Sequence, residues 1–219
     1  MKNISKLEQQ KRHPDRVNVY LDGEFAFGLN KEVVHKYSLR KGDAVTDKLI
    51  EQLSGEEEFS TAKNKALKFI STRMRSEYEV RSKLREYEFP TDIIEKVIKY
   101  LLEINFLNDL AFAKAYTADL QRNRSAGKRL LFQRLKSKGV GKETIELVLN
   151  DIENAKEEIL ALETANKYLK RFKTSRKPVE RKDQIRRISQ TLMRRGFDWS
   201  ITSKILKQIF KNISDQEDD

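Results

Sequence analysis

The chain has 219 residues, of which 38% are hydrophobic and 36% are charged, and its formal net charge at pH 7 is +11. So much charge leaves a thin apolar core, which favours an extended array of helices over one large globule. The absence of cysteine excludes disulfides and thiolate metal sites, and no apolar run approaches the length needed to span a bilayer. We therefore predict a soluble cytoplasmic protein that does not contact membranes.

Two β-rich runs joined by Asp22-Gly23 predict a β-hairpin near the start of the chain. The first run covers residues 16–21 and alternates apolar with other residues, and the second covers residues 24–29. Asp-Gly favours a type I′ turn because both central residues of that turn need a positive φ. A short leading strand is expected at residues 4–7, and no strand is expected after Leu29.

Two short helices are expected after the hairpin, one capped by Asn30 and ending at Tyr37, the other ending at Leu53. Residues 54–58, with the sequence SGEEE, are polar and lack apolar periodicity, so we interpret them as a linker. Residues 1–58 then form an N-terminal extension of hairpin and helices, in which no catalytic constellation is recognisable.

The rest of the chain contains three copies of one helical pattern. The apolar positions of residues 131–152 match positions 51 residues earlier and, after one insertion, 57 residues later. Such a period is typical of tandem units that are each too small to bury their apolar face alone. The predicted fold is mainly α, with three-helix repeats at residues 59–107, 108–155 and 156–213, and a disordered acidic tail at residues 214–219.

Capping signals locate helices inside the repeats. Ser76 followed by Glu79 predicts a capping box at the start of the second helix of the first repeat. Thr91 or Asp92 is expected to cap the third helix, after the break at Phe89-Pro90. The basic loop at residues 173–182 is an insertion, which explains why the third repeat lies 57 residues after the second whereas the second lies 51 residues after the first.

The positive charge is concentrated in the repeats. Residues 1–58 have a net charge of −1, whereas residues 59–154 and 155–219 each carry +6. Residues 122–138 contain seven basic side chains and no acidic one, and residues 167–195 contain twelve basic against two acidic. Clustered charge of this kind indicates a polyanion partner. The alternative is a solvated basic surface with no dedicated partner.

Residues that would support catalysis or bind a cofactor are scarce. The two histidines, His13 and His35, are far apart and have no nearby set of metal ligands, so both are interpreted as surface residues. Residues 138–142 (KGVGK) lack the spacing of a phosphate-binding loop and follow a helix rather than a strand, so we interpret them as the turn between two helices. We predict no enzymatic activity, no metal and no cofactor.

Short motifs in the three repeats match the signature of a known protein family. Residues 75–84 (RSEYEVRSKL) are similar to the family signature R-S-x-x-E-L-x-x-K-L, with Val80 in place of the leucine. Further matching positions follow in order: Leu107-Asn108-Asp109, Phe112-Ala113, Tyr116, Gly127, Leu131, Leu135, Lys138-Gly139-Val140 and Arg195-Gly196-Phe197. Each motif is weak by itself, but their order and spacing make the match specific. The repeats resemble the RecX family of bacterial regulators of the RecA recombinase.

The resemblance implies a curved, elongated molecule of three tandem three-helix repeats. It also implies binding along the helical groove of RecA–DNA filaments, which inhibits filament extension, ATP hydrolysis and strand exchange. The expected partners are RecA, its DNA filament, and single- and double-stranded DNA without sequence specificity, and the protein is expected to be a monomer. The N-terminal extension exceeds the short leader of the minimal family pattern and is similar to the hairpin-bearing extension of some Gram-positive members.

The candidate contacts to DNA or RecA are basic side chains of the three repeats. They are Arg73, Arg75, Arg81, Arg122, Arg124, Lys128, Arg129, Arg134, Lys136, Lys138, Arg181, Lys182, Arg186, Arg187, Arg194 and Arg195. Lysine and arginine suit phosphates, and few asparagines or glutamines accompany them to recognise base edges, which argues against a sequence-specific repressor. Two alternatives remain: a general DNA-binding protein made of helical repeats, and a scaffold that binds no nucleic acid.

Overall fold

The computed structural model describes residues 1–174 and 178–217, with side chains as far as residue 211. It divides the chain into two compact units, Met1–Leu107 and Asn108–Asp219. The first unit contains β1 (Lys2–Gln9), β2 (Arg16–Leu21), β3 (Glu24–Asn30), α1 (Lys31–Lys36), β4 (Ala44–Val45), α2 (Asp47–Ile70), α3 (Glu77–Glu86) and α4 (Thr91–Glu103). The second contains α5 (Asp109–Arg124), α6 (Lys128–Ser137), α7 (Lys142–Asn150), α8 (Asn154–Lys173), α9 (Arg181–Arg194) and α10 (Trp199–Glu217). The predicted fold class, mainly helical with a small N-terminal sheet, is confirmed.

The N-terminal sheet has four antiparallel strands in the order β3-β2-β1-β4. Asp22 and Gly23 have φ values of 49° and 93°, which confirms the positive φ at both positions that a type I′ turn needs. The expectation of no strand after Leu29 is wrong, because β3 extends to Asn30 and the two-residue β4 pairs with the start of β1. A strand of two residues is too short to produce a detectable alternation.

The predicted linker at residues 54–58 is also wrong, because α2 runs through it without a break. Its acidic residues hold the helix to the sheet and to α1. Glu57 lies 2.9 Å from the Arg16 guanidinium and accepts a hydrogen bond from the Asn30 backbone N–H, and Glu56 lies 2.7 Å from the Lys36 ammonium. The boundary expected after residue 58 therefore falls inside a helix that the sheet and the first repeat share. Tertiary ion pairs, which apolar periodicity does not detect, account for the difference.

The first repeat packs α3 and α4 against the second half of α2. The capping box is confirmed: the Glu79 N–H donates to the Ser76 hydroxyl at 3.2 Å, and the Ser76 N–H donates to the Glu79 carboxylate at 3.3 Å. Neither Thr91 nor Asp92 caps α4, since both lie inside it and Pro90 occupies the cap position without a side-chain hydrogen bond. The core that these helices share consists of Ala62, Ala66, Val80, Leu84, Ile93, Ile94, Val97, Ile98, Leu101 and Leu107.

The second unit contains two further groups of three helices, each with its own core. Helices α5, α6 and α7 bury Phe112, Leu131 and Leu135, among others, and α8, α9 and α10 bury a set that includes Leu192 and Phe197. Asn108 caps α5 by accepting a hydrogen bond from the Ala111 N–H at 2.9 Å. The expected basic loop at residues 173–182 lies partly outside the described residues.

The end of the chain differs from the expected disordered tail. Helix α10 continues to Glu217, so residues 214–217 are helical. Neither glycine nor proline occurs after Trp199 to stop the helix. Residues 218 and 219 lie outside the described part of the chain.

Candidate nucleic-acid interface

The three candidate arginines of the first repeat are engaged in contacts within that repeat. Arg73 lies 2.8 Å from the Glu79 carboxylate. Arg75 packs over the Phe69 ring, with its guanidinium carbon 3.9 Å from the ring centroid, and donates a hydrogen bond to the Thr72 hydroxyl at 3.1 Å. Burial lowers the pKa of the Arg75 guanidinium, and the neighbouring Arg73 lowers it further. These contacts orient both side chains toward their own repeat.

Arg81 is bound by carboxylates of its own repeat. Its guanidinium donates two hydrogen bonds to the Glu95 carboxylate, at 2.9 and 2.8 Å, and a third to Glu77 at 2.6 Å. The hydrogen bonds to Glu95 contribute most to raising the pKa of Arg81, burial opposes that rise, and the hydrogen bond to Glu77 adds to it. Because Glu77 lies on α3 and Glu95 on α4, Arg81 joins two helices of the repeat.

In the second unit, the loop after α9 packs directly against the first turn of α6. The Gly127 N–H donates to the Arg195 carbonyl at 2.9 Å, and the Arg129 N–H donates to the Gly196 carbonyl at 3.1 Å. A Cβ atom on Gly127 would lie 2.6 Å from the Gly196 carbonyl oxygen, and one on Gly196 would lie 2.2 Å from the Leu130 nitrogen. Gly196 also has a φ of 85°, so both glycines are needed for this close approach of the two backbones.

Glu157, on α8, also contacts the first turn of α6. Its side chain is buried, and its carboxylate accepts a hydrogen bond from the Lys128 N–H at 2.8 Å. This bond satisfies an N–H at the start of α6, where Gly127 has no side chain to serve as a cap. Burial raises the pKa of Glu157, the bond from Lys128 opposes that rise, and the nearby Asp198 reinforces it. The sequence offered no signal for this role, since a glutamate in the first turn of a helix is ordinary.

The same contact brings together cations from the second and third repeats. Arg195 donates a hydrogen bond to the Arg124 carbonyl at 2.7 Å, so these two residues are neighbours although 71 positions separate them. Lys128 and Arg129 begin the adjoining helix, and the Lys128 ammonium donates to Asn154 at 2.9 Å. We call Arg124, Lys128, Arg129 and Arg195 the junction cations. Arg124 and Arg129 are exposed, and neither guanidinium has an ion-pair partner in the described part of the chain.

A groove beside the junction cations extends the basic surface along α5 and α6. Its volume is about 390 Å³, and Arg124, Arg134 and Lys138 line it together with Tyr116 and the single carboxylate of Asp119. The remaining candidates of the second repeat, Lys136 and Arg122, are also exposed, and Arg122 lies 3.5 Å from Asp119. The basic stretch at residues 122–138 thus forms a surface in the fold, with few acidic side chains beside it.

Apart from Arg195, the candidates of the third repeat divide into two groups. Arg181 donates to the Phe210 carbonyl at 2.6 Å, and Arg186 lies 2.9 Å from Asp183. By contrast, Lys182, Arg187 and Arg194 are exposed, and their side chains have no ion pair with any residue of 1–174 or 178–211. The second group is therefore available to a polyanion without first breaking an internal contact.

The net charge differs strongly between the two units. Met1–Leu107 contains 20 basic and 18 acidic residues, for a net charge of +2, whereas Asn108–Asp219 contains 25 basic and 16 acidic residues, for a net charge of +9. A surplus of this size on 112 residues attracts a polyanion at long range. The second unit is therefore the part of the molecule best suited to a nucleic-acid backbone.

Other kinds of site find little support. Among residues 1–174 and 178–211, no group of three or more histidine, cysteine, aspartate or glutamate side chains is placed to hold a metal ion. None of the helices, over the residues described, is long and apolar enough to cross a bilayer. The basic surface of the second unit therefore remains the candidate interface.

Comparison with known proteins identifies the family. Three family models match the chain: the regulatory protein RecX N-terminal domain at residues 2–46, the first RecX three-helix domain at 62–101 and the second at 108–149. The chain is 33% identical over 206 residues to regulatory protein RecX of Clostridioides difficile, covering 94% of this chain and 95% of that relative. It is 35% identical over 215 residues to regulatory protein RecX of Clostridium acetobutylicum, covering 94% and 96%. The chain belongs to the RecX family.

Solved structures of RecX proteins share the fold. A crystal structure of regulatory protein RecX superimposes with a TM-score of 0.76 at 28% identity, over 94% of this chain and 98% of that one. RecX from Lactobacillus salivarius, at 23% identity, has a TM-score of 0.62 over 70% of this chain and 97% of its own. The resemblance to the RecX family is confirmed, and the N-terminal sheet corresponds to a domain that the family itself possesses.

The structure gives the RecX signature at residues 75–84 a structural explanation. Arg75 packs on Phe69, Ser76 and Glu79 form the capping box, and Val80 and Leu84 are buried in the first-repeat core. Each of these contacts starts α3 or attaches it to α2. In this chain, therefore, the RecX signature specifies how the repeat folds.

Proposed function

We propose that this RecX-family protein is a non-enzymatic, cytoplasmic regulator of the RecA recombinase, which it contacts together with the DNA of the RecA filament. By binding RecA–DNA filaments it inhibits filament extension, ATP hydrolysis and strand exchange, and so modulates recombination and DNA repair. Membership of the family supports a regulatory role, since the relatives are named regulatory proteins. The partnership with RecA follows from what the family resemblance implies.

The observation that carries the DNA part of this proposal is the set of junction cations. Backbone hydrogen bonds at Arg129 and Arg195 hold the start of α6 and the loop after α9 together, so the backbone positions that carry these cations are fixed. Arginine presents a planar fork of donors that matches phosphate oxygens, and it forms such contacts whatever the base sequence. The protein is therefore proposed to bind both single- and double-stranded DNA without sequence specificity.

We assign the first repeat a different part in this function. Arg73, Arg75 and Arg81 stabilise their own repeat, so the DNA contacts come from the second and third repeats. We propose that the repeats at residues 59–107, 108–155 and 156–213 act as linked modules of a monomer. Linked modules reach high avidity for a polymeric target because each contact raises the effective concentration for the next.

The test is the ATPase activity of RecA on single-stranded DNA, measured with increasing amounts of this protein. A filament regulator inhibits at amounts far below those needed to cover the DNA. A general DNA-binding protein inhibits only when it covers the lattice, which would contradict the proposal. The variant with Arg124, Lys128 and Arg129 changed to alanine should inhibit more weakly than the unmodified protein. Arg81→Ala provides the matched control, because it removes an arginine that has only internal partners among the contacts described.

A further inference from the structure

Trp199 is the only tryptophan of the chain, and 62% of it is exposed on the basic second unit. It is the first residue of α10 and follows the loop that packs against α6. Tryptophan is usually well buried in a folded protein because of its large apolar surface, and exposed tryptophans are enriched at binding surfaces. Its exposure therefore points to contact with a ligand.

The backbone that presents Trp199 is firmly held on both sides. Before it, the loop is fixed by the two hydrogen bonds from Gly127 and Arg129, and Phe197 is completely buried. After it, the Thr202 N–H donates to the Asp198 carbonyl at 2.9 Å, and Thr202 is also buried. An aromatic ring on so rigid a backbone loses little conformational entropy when a flat group stacks on it.

The charges near this loop indicate the chemistry of the ligand. Arg194 and Arg195 precede the loop, and Lys128 and Arg129 begin the helix against which it packs. Of the acidic groups nearby, Asp198 is exposed, Glu157 is buried against the Lys128 backbone, and Glu158 is paired with Lys204 of α10 at 2.6 Å. The surroundings are thus mainly cationic, which suits a ligand that combines negative charge with flat apolar groups.

We infer that Trp199 stacks on an unpaired base of single-stranded DNA whose phosphates are held by the junction cations. Single-stranded nucleic acid offers both groups at once, because its bases expose their faces while its backbone carries the charge. In a duplex the base faces are covered by their neighbours, so Trp199 gains nothing there. This inference rests on the proposed function and adds to it a preference for the single strand at this surface.

The experiment uses the full chain and its tryptophan fluorescence, excited at a wavelength that the seven tyrosines do not absorb, so that the emission comes from Trp199 as the sole tryptophan. Titration with an oligothymidylate of about 20 nucleotides, long enough for a typical single-strand site, should quench that emission. Trp199→Ala should weaken binding of the same, labelled oligonucleotide by about 10-fold or more, whereas affinity for a duplex of equal length should change less than about 2-fold. Trp199→Phe should retain part of the single-strand affinity. Leu147→Ala is the matched control, since Leu147 is an exposed apolar side chain of the same unit and should have no effect.

The outcomes separate this inference from the proposed function. If Trp199→Ala binds the oligothymidylate as tightly as the unmodified protein while the junction variant loses binding, stacking is overturned and the DNA-binding proposal stands. If the junction variant also binds normally, the DNA part of the proposed function fails. Equal losses for single strand and duplex, or a loss of RecA inhibition with both DNA affinities intact, would also overturn stacking. The latter result would assign Trp199 to a protein partner.

Discussion

Glu157 shows how one buried side chain connects two repeats of the second unit. Its carboxylate satisfies the first N–H of α6 from a different helix, α8. That position excludes water, so the charged form of the side chain is costly there even though it accepts a hydrogen bond. The junction cations therefore lie beside a group whose ionisation affects the stability of the contact.

We predict that Glu157→Gln changes how stability depends on pH. Burial raises the pKa of Glu157, so folding favours its protonated form. The stability that this group contributes is present at low pH and is lost as the pH rises through the raised pKa. Glutamine keeps an oxygen to accept a hydrogen bond from the Lys128 N–H and cannot ionise, so the variant should gain stability relative to the unmodified protein as the pH rises from the ordinary pKa of glutamate through the raised one. Urea unfolding at several pH values measures this difference.

Glu158→Gln is the matched control for that prediction. Glu158 is the next residue in α8, is half-buried, and lies 2.6 Å from the Lys204 ammonium. Replacing Glu158 should leave unchanged the pH dependence of stability that Glu157 contributes. The assigned role is contradicted if the difference in the free energy of unfolding between Glu157→Gln and the unmodified protein stays constant with pH. It is also contradicted if the variant loses relative stability as the pH rises.

Gly196 is the second residue on which the junction depends. We predict that Gly196→Ala lowers the free energy of unfolding of the second unit by about 2 kcal/mol or more, because strain at a positive φ adds to a direct clash. The added Cβ atom would lie 2.2 Å from the Leu130 nitrogen, which belongs to the backbone and cannot move aside. Thermal unfolding followed by circular dichroism measures the loss. A variant as stable as the unmodified protein would show that the loop does not pack here.

At the scale of the element, α2 is the part of the fold that differs most from expectation. The sequence of residues 54–58 predicted a linker because it contains glycine and glutamates and no apolar residue. In the structure Gly55 lies in the middle of a helix of 24 residues, and the glutamates around it pair with Arg16 and Lys36. The sheet and the first repeat consequently share one rigid element within the first unit.

Two substitutions at Gly55 test this continuity. Gly55→Ala should stabilise the protein by about 0.5–1 kcal/mol, since alanine has the higher helix propensity and its Cβ would meet nothing within 4 Å. Gly55→Pro should destabilise it by about 3 kcal/mol, because proline breaks the interior of a helix. Both values are available from denaturant unfolding. A flexible linker would tolerate the proline, so an unchanged stability in Gly55→Pro would contradict the continuous helix.

At the scale of the whole molecule, charge is distributed unequally between the units, and the +9 of the second unit should dominate any binding to DNA. Each phosphate neutralised by a protein cation releases counterions, which makes the affinity fall as salt increases. The number of cations in contact can therefore be counted from the slope of log affinity against log salt.

We predict that changing Arg124, Lys128 and Arg129 to alanine weakens DNA binding at low salt and reduces the magnitude of that slope by about 2 units on single strands. The loss should be nearly independent of base sequence. Arg81→Ala should leave the slope unchanged. If the triple variant keeps the full slope, the phosphates lie elsewhere, and the variant with Lys182, Arg187 and Arg194 changed to alanine would then identify the third repeat as their site.

By itself the sequence determined the helical repeats, the hairpin with its Asp22-Gly23 turn, the capping box at Ser76 and the concentration of charge in the repeats. Each of these depends on short-range patterns: apolar spacing, turn chemistry and local composition. Only the tertiary structure decided which arginines are committed to internal contacts and which remain available. Arg81 and Arg129 are both arginines of repeat helices. Carboxylates of two helices bind the Arg81 guanidinium, whereas Arg129 is exposed. The contact of Gly127 with Gly196 joins residues 69 positions apart, and the hydrogen bond from Lys128 to Glu157 joins residues 29 positions apart. No local sequence pattern encodes contacts over such separations.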